Sequence, residues 1–199
     1  MSSDAIHAFP LPPSMPQFAQ DGSSRFCAWL LRRCGWSVRG TFPDVPRLVL
    51  IAAPHSSWWD GVWGLLVKVA TGADISFMGK RELFRGPLGW LLRRLGGIPI
   101  ERSAAHGVVE QMVAKFAASP KLWLGIAPEG TRKRVTKWRS GFWHIARDAG
   151  VPIFPIAFDY ATHSIVLGPL FEPSADLEGD LAKLRAWYAP FHGKCRDVN

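Results

Sequence analysis

The run Arg47-Leu-Val-Leu-Ile-Ala-Ala53 is short, apolar and rich in branched side chains, which predicts a strand buried on both faces. Pro54, His55 and two serines interrupt it, and the next apolar-periodic stretch predicts a helix from about Trp58 to Ala70. Further apolar runs at 75–78, 98–100, 122–127 and 153–158 alternate with helical stretches near 81–95, 107–118 and 141–149, and a last helix is expected over about 176–188. Such alternation predicts a single α/β domain in which helices flank a mixed sheet. It also delivers the residues after each strand, His55 first, to the sheet's carboxyl edge, where α/β proteins bind ligands.

Two other stretches are amphipathic. Around Arg25 to Arg39, helical spacing gathers Phe26, Cys27, Leu30, Leu31 and Cys34 on one face and places Arg25, Arg32 and Arg39 on another. Leu88 to Leu95, preceded by Leu83, Phe84 and Arg85, has the same character. Each suits a membrane-surface helix, and each suits an ordinary helix packed on a core. The opening residues 1–22 carry four prolines and neither a basic residue nor the apolar centre of a secretory signal, so a disordered tail is expected there. Residues 23–46 are then an N-terminal amphipathic segment, and 47–199 the main domain. No run approaches the roughly 18 apolar residues of a membrane span.

Charge sharpens this picture. Residues 80–147 hold fourteen Lys/Arg against four acids, whereas the flanking thirds are nearly balanced or acidic, so the whole net charge of +8 resides in the middle. An anionic partner follows: a membrane surface, a phosphorylated substrate or nucleic acid. Cys27, Cys34 and Cys195 fit neither a disulfide framework nor a zinc spacing, and suit a reducing, cytoplasmic compartment.

His55 and Asp60 form a His-x4-Asp pair just past a buried strand. The first helical turn can return the carboxylate to the ring, fixing its tautomer and leaving the other nitrogen to take a hydroxyl proton. A helix-capping aspartate beside an unrelated histidine would give the same letters. A second pair, His192 and Asp197, has no strand before it and reads as coincidence. No Gly-x-Ser-x-Gly elbow occurs, so no covalent intermediate is indicated, and no metal-ligand spacing is present. After the strand at 122–127, the turn Pro128-Glu-Gly-Thr-Arg132 would present Glu129, Thr131 and Arg132 beside His55. Arg102, after Gly97-Ile-Pro-Ile-Glu101, can hold phosphate through paired hydrogen bonds.

These segments, with Val151-Pro-Ile-Phe-Pro155 and Lys80-Arg-Glu-Leu83, resemble in order and spacing the blocks of the glycerolipid acyltransferases that make phosphatidic acid from lysophosphatidic acid. The resemblance covers about residues 47–170 and makes 47–199 an acyltransferase domain. It implies direct transfer of a fatty acyl group from acyl-coenzyme A or acyl carrier protein to a lysophospholipid hydroxyl, without cofactor or metal. His55 would be the base and Asp60 its orienting partner. Lys80, Arg102 and Arg132 would hold the acceptor phosphate, and Glu129, Gly130 and Thr131 would belong to the acceptor-site turn. Such an enzyme would sit on the anionic inner face of the membrane as a peripheral protein and need no nucleic acid.

Ala127, Pro99 and Lys133 depart from the family pattern around the acceptor. The acceptor could therefore be another amphiphile, such as an ornithine lipid or a lipid A precursor. A basic, non-catalytic module for nucleic acid or membrane is the remaining alternative, with ten tryptophans available for stacking. Trp58 and Trp59 could equally wall a substrate site or anchor their helix in the core.

Overall fold

The computed structural model describes residues 11–100, 105–131 and 137–198. In chain order these form α1 (Gly22–Arg33), β1 (Ser37–Arg39), β2 (Arg47–Ala53), α2 (Trp58–Thr71), β3 (Ile75–Lys80), α3 (Gly86–Arg94), β4 (Gly97–Ile100), α4 (Ala105–Ala118), β5 (Leu122–Ile126), α5 (Gly141–Ala149), β6 (Ile153–Asp159), β7 (Ser164–Leu167) and α6 (Leu177–Tyr188). The strands make one sheet in the order β1-β7-β6-β2-β5-β3-β4. From β6 through β4 all neighbours are parallel; β7 runs antiparallel to β6 and carries β1 parallel to itself, so the sheet is mixed. The expected architecture is the one found.

β2 is the centre, hydrogen-bonded to β5 and β6 and covered on both faces. Its pleat sends Leu48 and Leu50 into one core, with Trp123, Phe154 and residues of α1 and α2, and Val49, Ile51 and Ala53 into the other, with residues of α4, α5 and α6. Each fully buried Leu, Ile or Val contributes about 1.5–3 kcal/mol, so this strand is firmly seated. Tyr188, at the end of α6, is buried and donates its hydroxyl to the Ile51 carbonyl at 2.7 Å. That bond ties α6 to β2 and starts the following chain, 189–198, back towards the sheet's carboxyl edge.

Three expectations need correction. Of the tail expected over 1–22, residues 1–10 lie outside the described residues and 11–22 are ordered: Met15 is fully buried, and Phe18 N–H and Asp74 N–H bond to the Gly72 and Pro16 carbonyls at 3.0 and 2.9 Å. The face of α1 that enters the core is Ser24, Ala28 and Leu31, at i, i+4 and i+7, while Phe26 and Trp29 are exposed. Asp21 caps this helix, and its carboxyl lies below the usual range through hydrogen bonds from Ser23 and then Ser24.

The third correction concerns the stretch 81–95, which is not one helix. A 3-10 turn, Arg81–Phe84, precedes α3, with Gly86 at φ 60° and Pro87 in the first helical turn. The buried Phe84 sets the break, because a Cβ on Gly89 would stand 2.1 Å from its carbonyl carbon. β1 and β7 had no sequence counterpart in the expectations, being three and four residues long.

Candidate active site

Because β2 through β6 run parallel, the residues after their carboxyl ends share one edge: His55 after β2, Glu129 after β5, Tyr160 after β6 and Lys80 at the end of β3. Of the expected site residues, His55 and Glu129 thus meet beside β2, while Lys80 ends β3, which β5 separates from β2. Arg102 and Arg132 lie outside the described residues, although β4 ends at Ile100, two residues before Arg102.

Asp60 sits at the third position of α2 with its side chain fully buried. Three groups meet it. Ser57 N–H donates to Oδ2 at 2.8 Å, one half of a capping box whose other half is the Asp60 backbone facing Ser57 Oγ; that oxygen also accepts from Trp59 N–H at 3.3 Å. Tyr160 donates its hydroxyl to Oδ1 at 2.6 Å. His55 Nδ1 lies 3.4 Å from Oδ2, somewhat beyond hydrogen-bond length, with a quarter of its side chain exposed. Asp60 therefore caps a helix and faces the imidazole as well, so the two readings of the pair describe one carboxylate. Burial, and then the Asp60 carboxylate, push the Tyr160 phenol well above its ordinary value, which keeps it a proton donor.

His55 itself lies between strand and helix, so its backbone must find partners outside the sheet. Its N–H donates to Glu129 Oε1 at 2.7 Å, and its carbonyl accepts from Arg196 Nη2 at 3.1 Å. Glu129 is 2% exposed and its Oε2 pairs with Arg196 at 2.6 Å. Oε1 accepts a hydrogen bond, whereas the buried Oε2 has none among the described residues and is met by the Arg196 cation as an ion pair. Glu129 was expected in the acceptor-site turn; its Oε1 meets the His55 backbone. Gly130 takes φ 65°, and a Cβ there would stand 2.7 Å from Arg139 Cδ, so the turn needs glycine. Thr131 is half-buried beside it, and Lys80 is exposed.

A cleft of about 350 Å³ opens between α1 and α2, lined by Leu30, Cys34, Trp59, Val62, Trp63 and Leu66, with Lys194 at its border. Trp59 stacks on Trp63 and on the exposed Trp58, so Trp59 walls a cavity while Trp58 faces outward. A larger cavity of about 530 Å³ lies among Met15–Ala19, Asp74 and Lys121, near the amino ends of β3 and β5 and away from His55. Phe26 and Trp29 on α1, and Leu88, Trp90 and Leu91 on α3, form exposed apolar surfaces. Among the described residues no helix is long and apolar enough to cross a membrane, and no group of three or more His, Cys, Asp or Glu side chains could hold a metal.

Tyr160, Lys194 and Arg196 escaped the sequence reading. Tyr160 follows a predicted strand, a position the sheet-edge rule could have flagged. For Arg196 the sequence carries no signal.

A family model described as Acyltransferase matches residues 40–159. The 1-acyl-sn-glycerol-3-phosphate acyltransferase of Escherichia coli (strain K12) is 33% identical over 100 residues, which cover 47% of this chain and 40% of that protein. The match thus spans less than half the length of that relative. The crystal structure of the 1-acyl-sn-glycerophosphate (LPA) acyltransferase PlsC from Thermotoga maritima superposes with a TM-score of 0.54 at 18% identity, covering 81% of this chain and 76% of that one, and so has the same fold.

Proposed function

The chain belongs to the acyltransferase family, and from that premise we propose that it moves a fatty acyl group from an acyl-coenzyme A or acyl carrier protein thioester to the free hydroxyl of a lysophospholipid, 1-acylglycerol-3-phosphate. The observation that carries the reading is the arrangement of His55 and Asp60: a partly exposed imidazole against a fully buried carboxylate that Ser57 N–H and Tyr160 hold in place. With Nδ1 turned to Asp60, Nε2 is left for substrate.

In this mechanism His55 Nε2 removes the acceptor's hydroxyl proton as the oxygen attacks the thioester carbonyl. The tetrahedral intermediate collapses with cleavage of the carbon–sulfur bond. The imidazolium returns its proton to the departing thiolate, so the products are an ester and a free thiol. Charge is balanced without a metal or further cofactor. Arg102 and Arg132 bind the acceptor phosphate, assisted by Lys80, and the Gly130–Thr131 turn shapes that pocket. The 350 Å³ cleft beside Trp59 is apolar enough to take an acyl chain.

The same reading has the protein peripheral on the anionic inner, cytoplasmic face of a membrane. The exposed apolar side chains of α1 and α3 support it, together with the basic middle third of the sequence. The test is mass spectrometry of products after incubating purified protein with mixed lysolipids and an acyl thioester. Formation of a diacylated phosphatidic acid is expected. Acylation confined to phosphate-free acceptors would refute the acceptor assignment.

A further inference from the structure

The chain from His192 to Asp197 lies beyond the stretch matched by the family model, yet it packs directly on the His55 loop. It is a built turn. Asp197 pairs with the His192 ring at 3.1 Å and accepts from Gly193 N–H at 2.9 Å; the His192 carbonyl accepts from Tyr160 N–H at 2.8 Å. The His192–Asp197 pair, a coincidence by sequence, thus closes this turn. Cys195 N–H donates to Ser56 Oγ at 3.1 Å, and a Cβ on Gly193 would stand 2.0 Å from the Arg196 carbonyl oxygen, so the turn requires glycine.

At the end of the turn one nitrogen of Arg196 reaches both Glu129 Oε2, at 2.6 Å, and the His55 carbonyl, at 3.1 Å, while Glu129 Oε1 accepts from His55 N–H. The guanidinium, the carboxylate and the His55 backbone close a ring. Asp60 faces the imidazole and Glu129 the main-chain N–H, so the side chain and the main chain of His55 meet different carboxylates.

We propose that Arg196 is a positioning residue for acyl transfer: through Glu129 it fixes the His55 backbone and hence the place of the base. This rests on the reading of His55 as the base. Glu129 is nearly out of water and its ion partner is Arg196, so losing the cation leaves a buried carboxylate to turn away or take a proton. Either change weakens its grip on the His55 N–H. A base displaced by about 1 Å loses on the order of 10²-fold in rate, with little change in ground-state binding.

The test compares wild type, Arg196→Gln, Arg196→Lys, Glu129→Gln and the double variant Glu129→Gln/Arg196→Gln, each checked for fold by near-ultraviolet circular dichroism. Arg196→Gln is expected to lower kcat by roughly 10- to 100-fold with both KM values changed less than about threefold. Arg196→Lys keeps the charge and recovers part of the loss. In the Glu129→Gln background the Arg196→Gln effect shrinks to less than about threefold, because the two act as one unit. A second readout needs no substrate: residue-resolved amide exchange of His55 rises at least about tenfold in Arg196→Gln, while that of Ser57, held by Asp60, stays near wild type. If wild type transfers no acyl group, the function assignment fails and the exchange comparison still decides the clamp. Full kcat and unchanged His55 exchange in folded Arg196→Gln would overturn the proposal. So would a rise in acceptor KM alone, which would make Arg196 a substrate ligand.

Discussion

Tyr160 donates its hydroxyl to the Oδ1 of Asp60 at 2.6 Å, across 100 residues of chain, while the other oxygen of that carboxylate faces His55. Hydrogen bonds to charged groups contribute about 1.5–3 kcal/mol, and Asp60 has no exposure through which water could replace one. Tyr160→Phe should therefore lower the unfolding free energy by about that amount in urea titrations. Transfer should fall by roughly tenfold as the carboxylate loses one of its supports.

That contact has a pH signature. Burial, then Asp60, raise the Tyr160 phenol above its unfolded value of 10.0. A folded pKa above the unfolded one gives stability that is complete below about pH 10 and is lost as pH climbs towards the folded value. The stability gap between wild type and Tyr160→Phe should stay constant from pH 7 to about 10 and narrow above it. A gap that narrowed from pH 7 upwards would contradict the assignment of the shift to this phenol.

Asp60→Asn separates the two duties of the carboxylate. An amide can still meet Ser57 N–H through its carbonyl, so weakening of the cap should cost only about 0.5–1 kcal/mol, beside what the Tyr160 bond loses when its acceptor is no longer charged. It no longer stabilises an imidazolium, and its NH2 can favour the wrong tautomer, so kcat should drop on the order of 10²- to 10⁴-fold. A large stability loss with near-normal turnover would make Asp60 a cap alone.

How far the letters foretold this site depends on the range of each interaction. β2 and α2 were legible almost to the residue, because a branched apolar run and a Ser57-to-Asp60 capping box are local signals. The single helix expected over 81–95 failed because Phe84 packs against Gly79, Gly89 and Gly97, contacts that helical periodicity cannot register. Which stripe of α1 enters the core stayed open for a similar reason: helical spacing identifies an apolar stripe, and the small residues Ser24 and Ala28 beneath α2 decide which one is buried. Arg196 lies 141 residues from the His55 carbonyl it meets, and no spacing rule spans that distance.

Arg102→Ala and Arg132→Ala should each weaken binding of a phosphorylated acceptor by roughly one to two decades, since a charge-assisted hydrogen bond contributes about 1.5–3 kcal/mol. The thioester KM should move less. Equal losses on a phosphate-free acceptor would show that neither arginine reads phosphate.

For the membrane, Phe26→Glu with Trp29→Glu alters the exposed face of α1 and leaves Ser24, Ala28 and Leu31 in the core. Each basic residue near an anionic surface contributes on the order of 1 kcal/mol, and a buried large apolar side chain about 1.5–3 kcal/mol. Wild type should pellet with anionic vesicles at low salt and be partly released by added salt. The double variant should pellet less and keep its activity on detergent-dispersed acceptor. Equal, salt-insensitive pelleting on neutral vesicles would remove the basic surface from the account.

In the proposed reaction the partly exposed imidazole of His55 is the general base. Its replacement by alanine removes a group that contributes roughly 10²- to 10⁴-fold in rate and leaves the backbone bonds to Glu129 and Arg196 available. The measurement is single-turnover acyl transfer by purified His55→Ala, free of host enzyme, beside wild type with the thermal midpoint of each recorded. A folded protein that has lost transfer by at least about 10²-fold, with the acceptor still bound, is expected. Wild-type turnover by folded His55→Ala would contradict it.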